Sequence, residues 1–140
     1  MSIGFAISMR DRNPLVYGDH EALLTGLPSE VAQLAYDTWL RPLPSVTEQL
    51  SLVDEVAQAL ADQPHVDVQY GPTGVQWCSD DLLLAIAKAS ARTGRRIHMH
   101  LLETKPQRAW LDQTYPQGGV AFLKEIGLLS DRLTLAHCVW

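Results

Sequence analysis

Arg95-Arg96-Ile97-His98-Met99-His100-Leu101-Leu102-Glu103-Thr104 is the stretch on which the reading of this chain turns. A short apolar run carries histidines at alternate positions and delivers a carboxylate just past its end. Side chains alternate faces along an extended strand, so His98 and His100 point the same way. His100 lies nearer the carboxyl end, where parallel α/β folds place their sites. Glu103 would face the opposite side in a continuing strand. An end at Leu101 or Leu102 instead lets it swing over the rim from the loop.

The flanks place this strand in a repeating pattern. Before it, Ser79 caps a helix with Asp80 and Asp81 in the first turn, where the helix dipole favours acids. Leu82, Leu83, Ile86, Ala87 and Ala89 continue that helix, and Thr93-Gly94 ends it. After it, Pro106 suits a first helical turn. Trp110, Leu111, Val120, Leu123 and Ile126 supply apolar faces interrupted at residues 116–119, and Gly127 closes the last helix. Residues 133–140 form a final strand.

Further upstream, Val66-Asp67-Val68-Gln69-Tyr70 alternates like a strand and runs into Gly71-Pro72. Ser45-Val46-Thr47-Glu48 is a capping box, followed by an apolar face of Leu50, Val53, Val56, Ala57 and Leu60. Ser29 offers an N-cap to a helix carrying Val31, Leu34, Ala35 and Thr38, which Pro42 and Pro44 stop. Residues 3–9 read as a buried strand closed by the polar Arg10-Asp11-Arg12-Asn13-Pro14. From Tyr17 and Gly18 through Asp19, His20 and Glu21 to Gly26 the chain reads as an elaborated loop holding one helical turn. Strand and helix alternate throughout, the pattern of parallel strands with crossover helices.

Composition narrows the function classes. With 46% apolar and 19% charged residues and a formal charge of −5, the chain reads as an ordinary globular protein. No Lys/Arg run exceeds two residues, so no nucleic-acid partner is expected. No apolar stretch approaches the roughly 18–20 residues of a membrane span, and the start lacks the order of a signal peptide, so no membrane partner is expected. Cys78 and Cys138 lie far apart without CxxC spacing, which fits a reducing cytoplasm better than a disulfide framework. Phosphate-binding glycine fingerprints and the GxSxG nucleophile motif are absent.

His137 stands near the end of the last strand, in like position to His100. Two imidazoles and a carboxylate on neighbouring strand ends could bind a divalent metal, activate its water and shuttle the proton. The competing reading is a non-catalytic α/β domain whose histidines only hydrogen-bond in the core. His98, deeper in its strand, is expected to be such a buried residue.

The strings IHMHLLET (97–104) and GLLSDRLTLAHCVW (127–140) resemble the fifth and sixth strands of the metal-dependent amidohydrolase superfamily, in its cytosine/guanine deaminase and triazine chlorohydrolase branch. Tyr70-Gly71-Pro72 with Trp77-Cys78-Ser79 is similar to that branch's fourth strand and following helix start, and GFAISMRDRN (4–13) to its third strand. The resemblance implies a (β/α)₈ barrel holding one zinc or iron and hydrolysing amino or chloro substituents on nitrogen heterocycles. It implies His100 as metal ligand and Glu103 as the acid/base that takes a proton from water and passes it to the substrate. It also implies His137 as the group that orients water and substrate. Arg10, Gln69 and Trp77 sit where contacts to a small heterocyclic substrate arise.

In one respect the chain departs from that family. The family's metal is held mainly by an HxH pair on the first strand and an aspartate on the eighth, and neither context occurs here. A complete barrel needs about 250 residues, against 140. The expectation is therefore a fragment, about half of a partial TIM barrel covering strands three to six, with an internal start and a truncated end. Alone it should be inactive, bind zinc weakly, and self-associate or form homo-oligomers through unpaired edges and an open inner wall.

Overall fold

In the computed structural model, residues 2–12, 19–40 and 42–140 are described. Four parallel strands lie in one sheet in chain order: β1 (Ile3–Met9), β2 (Val66–Pro72), β3 (Ile97–Leu101) and β4 (Leu133–His137). Helices α1 (His20–Thr25), α2 (Ser29–Trp39) and α3 (Val46–Ala59) connect β1 to β2. A 3₁₀ turn (Val75–Trp77) and α4 (Asp80–Thr93) connect β2 to β3, and α5 (Lys105–Thr114) and α6 (Gly119–Glu125) connect β3 to β4. This is the α/β alternation expected from the sequence. The loop expected over Asn13, Pro14, Tyr17 and Gly18 falls outside the described residues.

Alternation along β3 splits the sheet into two faces. Ile97, Met99 and Leu101 are buried against helices, while His98 and His100 are exposed on the other side. Val68 and Tyr70 of β2 share the helix-side core with Leu82, Leu83 and Ile86 of α4, Phe122 and Leu123 of α6, and Leu128. His98 thus corrects its expected burial: it shares the open face with His100, their ring centroids 6.4 Å apart. Among the described residues no helix is long and apolar enough to cross a membrane.

Local signals set most element ends. Ser45 and Glu48 form the full capping box of α3, Ser79 caps α4, and Gly94 ends α4 in the left-handed region at φ 75°. Other expectations shift. Ser29 is the first helical residue of α2 and Pro28 takes the cap position without a side-chain bond. Only Ala35 of that helix is buried, with Val31 and Leu34 exposed. Strand β2 runs on through Gly71-Pro72, and β4 stops at His137.

Both cysteines are free thiols, Cys78 buried and Cys138 exposed. Burial pushes the Cys78 thiol up from 9.0 to about 11, despite bonds from the Gly74 and Thr73 backbone. Between those values the unfolded chain gives up this proton and the folded chain keeps it, so stability falls as pH rises through that window. The full cost is roughly 2–3 kcal/mol. Urea unfolding at pH 8 and pH 11 should show this loss, and Cys78→Ala should remove its share. Equal slopes against pH for both chains would refute it.

Candidate active site

The carboxyl ends of the strands gather most of the side chains singled out from the sequence. Arg10, Thr73, Trp77, His100 and Glu103 line one cavity of about 300 Å³. Each comes from the segment following a strand, except His100, which is on β3 itself. An isolated parallel bridge pairs Gly74 with His100, seating the loop after β2 beside the histidine.

Hydrogen bonds fix the loop after β1 against the loop after β2. The Asp11 and Arg12 N–H groups donate to the Trp77 carbonyl at 3.2 and 3.1 Å, and the Thr73 N–H donates to the Met9 carbonyl at 3.0 Å. The Asp11 carboxylate accepts from both the backbone N–H and the hydroxyl of Ser79. The Arg10 N–H donates to Oε1 of the buried Gln49 at 2.9 Å. Arg10 and Trp77 are therefore presented from braced backbone.

His137 arrives on this face by an unusual route. It pairs in register with Leu101, whose side chain is buried on the helix side. Strict alternation would send His137 there too. Its backbone instead adopts φ 73°, followed by Cys138 at φ 52°. Left-handed backbone is costly for residues with a Cβ, and here it re-aims the imidazole. The ring stacks on His100 with centroids 5.2 Å apart and planes 28° apart. Cys138 and Val139 N–H groups hold the turn by donating to the Leu101 and Leu102 carbonyls at 2.8 and 3.2 Å.

Glu103 reaches the same place through a second left-handed residue, Leu102 at φ 54°. Strand β3 ends at Leu101, and Glu103 Oε1 comes within 3.9 Å of His137 Nε2. Thr104, not Glu103, caps α5. The Glu103 N–H donates to Oε1 of Gln107 at 2.8 Å.

The structure thus brings together Arg10, Trp77, His100, Glu103 and His137. Gln69 is not among the cavity residues: it is buried on β2, with Nε2 donating to the Asp67 carboxylate. Sequence reasoning passed over Thr73, which borders the cavity, and Gln107. The T-x-x-Q spacing of Thr104 and Gln107 is a capping-box pattern that pointed to the latter.

Imidazole nitrogens and a carboxylate are donors that suit zinc. His100, on the exposed face at the strand end, fits the part of one ligand. Among the described residues, no three His, Cys, Asp or Glu side chains are arranged to hold a metal ion.

The model of the Amidohydrolase family matches residues 20–140. The 5'-deoxyadenosine deaminase of Methanosarcina barkeri is 35% identical over 75 residues, covering 54% of this chain and 17% of that protein. Atrazine chlorohydrolase from Arthrobacter aurescens TC1, solved with zinc, superposes with a TM-score of 0.57 at 28% identity, over 71% of this chain and 22% of that one. E. coli guanine deaminase shares the fold with a TM-score of 0.67 at 18% identity, over 98% of this chain and 27% of that one. The matched region is about a fifth of the length of the curated relatives. The four strands and their helices correspond to part of a (β/α)₈ barrel.

Proposed function

The chain belongs to the amidohydrolase family, and from that premise we propose that the carboxyl ends of β1–β4 form one wall of a hydrolase active site. The intact enzyme would remove an amino or chloro substituent from a nitrogen heterocycle of purine, pyrimidine or triazine type. The supporting observation is the convergence of His100, Glu103, Arg10 and Trp77 on one cavity, with His137 stacked on His100 and 3.9 Å from Glu103.

His100 would contribute one ligand to a divalent metal, zinc or iron. When bound, such an ion lowers the pKa of a coordinated water and polarises the substrate. Glu103 takes a proton as the water oxygen bonds to the ring carbon carrying the amine. It passes that proton to the ring nitrogen, then takes the proton of the new hydroxyl and gives it to the amine as the carbon–nitrogen bond breaks, the carbonyl forms and ammonia departs. His137, beside both His100 and Glu103, orients water and substrate between them. Trp77 offers an aromatic face for the heterocycle, and Arg10 a fixed cation at the cavity edge. Two free thiols fit a reducing cytoplasm.

Grafting residues 66–140 in place of the matched segment of the Methanosarcina barkeri 5'-deoxyadenosine deaminase tests this reading. The chimera should bind zinc and release ammonia from 5'-deoxyadenosine above background. The 140-residue chain alone should do neither well, because its described residues gather no set of three donors for a metal ion. A folded, zinc-loaded chimera inert toward amino- and chloro-substituted purines, pyrimidines and triazines would sink the proposal and favour purely structural histidines.

A further inference from the structure

The starts of α3 and α5 share the spacing of a capping box, but the side-chain half is displaced by one residue in α5, and the displacement falls on the proposed acid/base. In α3 the arrangement is reciprocal. The Glu48 N–H donates to Ser45 Oγ at 3.3 Å, and the Glu48 carboxylate accepts from the N–H of Ser45, the cap residue itself, at 2.8 Å. In α5 the first half is the same, with the Gln107 N–H donating to the cap Thr104 Oγ1 at 3.4 Å. The second half is displaced. Gln107 Oε1 accepts from the N–H of Glu103, the residue before the cap, at 2.8 Å.

We infer that Gln107 is a positioning residue for Glu103, a role that rests on the functional reading of Glu103 above. The loop between β3 and α5 turns at Leu102, in the left-handed region. On its carbonyl side it is held by the Cys138 and Val139 N–H groups, which donate to Leu101 and Leu102. On its amide side it is held by Gln107, whose side chain is 4% exposed and so has little freedom to wander. Between these anchors the Glu103 carboxylate is brought to 3.9 Å from the His137 imidazole. A neutral carboxamide suits this task. It accepts the N–H without placing a second carboxylate beside the group that must exchange a proton with water. Release of the bond leaves the Leu102–Glu103 peptide held only through the Leu102 carbonyl, so that Glu103 can tilt and its carboxylate leave His137 while the rest of α5 keeps its cap.

Amide hydrogen exchange and nuclear Overhauser contacts in the labelled 140-residue chain test the role. Gln107→Leu and the unbranched Gln107→Met both remove the acceptor, so that the comparison stands on whichever retains the methyl shifts of Leu83 and Leu123. Exchange at the Glu103 amide should quicken about five- to tenfold, and the contact between the Glu103 side chain and the His137 ring should vanish. Gln107→Glu restores an acceptor and should restore both signals. Thr104→Ala removes the cap alone and should leave both intact. Unchanged exchange and contact in the acceptor-less variants, or equal loss in Thr104→Ala, overturns the inference.

In the chimeric deaminase, Gln107→Leu should lower kcat with KM kept. Activity that responds to Glu103 but not to Gln107 refutes the positioning role alone. Indifference to Glu103 itself, with the exchange result as expected, refutes the functional reading and leaves Gln107 as a structural clamp.

Discussion

Glu103→Gln in the chimeric deaminase should lower kcat about 10³- to 10⁴-fold, the upper part of the range for a positioned acid/base. The estimate sits high because Glu103 is asked to act twice, first on water and then on the leaving group. Glutamine keeps the size of the side chain and its hydrogen bonding but cannot take up the proton. The geometry separates this outcome from the plain alternative, an acid that merely favours a helix start. Thr104 holds the cap of α5, and the Glu103 backbone is tied to Gln107. A dipole effect of that kind is worth about 0.3–1 kcal/mol of stability and nothing in turnover. Zinc content should not change, because His100 rather than Glu103 is the proposed ligand. Turnover within tenfold of the parent chimera, at equal zinc, would remove Glu103 from the chemistry.

His137 marks the limit of what the sequence could disclose. The four strands, most helix caps and the end of β3 follow from local rules: alternation, capping residues, and glycine or proline at turns. The sequence set His137 beside His100 by its like position near a strand end, and the structure does stack the two rings, but by a route that strict alternation does not give. Register opposes it to the buried Leu101, and only the left-handed backbone at His137 and Cys138 turns the ring onto His100. Histidine enters the left-handed region only as a minority conformation, too weak a preference to place a turn here, and the turn is held by bonds from Cys138 and Val139 to the β3 end that are made only in the fold. The expected burial of His98 did fail. Burial was inferred from its depth in the strand, whereas the face it occupies is decided by which side the helices cover. On α2, apolar spacing was legible but its partner was not, and Val31 and Leu34 stand exposed.

Gly71→Ala should be the most damaging single-methyl change in the sheet, costing about 3 kcal/mol or more, the upper end for overpacking. The sequence presented Gly71-Pro72 as a strand terminator, yet β2 continues through both residues and pairs Gly71 with Ser8 of β1. A Cβ there would lie 2.5 Å from the Ile7 carbonyl oxygen and 2.9 Å from the Ile7 carbonyl carbon. Both obstacles are backbone, so no rotamer change relieves them. Either β1 moves away from β2 or the ladder breaks. At Gly4, by contrast, the nearest atom is the end of the Gln69 side chain at 2.9 Å, which can swing aside. Gly4→Ala is therefore the matched control and should cost far less.

The damage should also reach the site. The Thr73 N–H donates to the Met9 carbonyl, and the Arg10 loop is tied to Trp77, just past this contact. Urea unfolding of both variants checks the prediction, with exchange at the Thr73 amide as the local report. Gly71→Ala unfolding within 1 kcal/mol of the parent, with Thr73 still protected, would show that β1 can retreat without loss. The close approach at Gly71 would then not be what fixes the Arg10 side of the cavity.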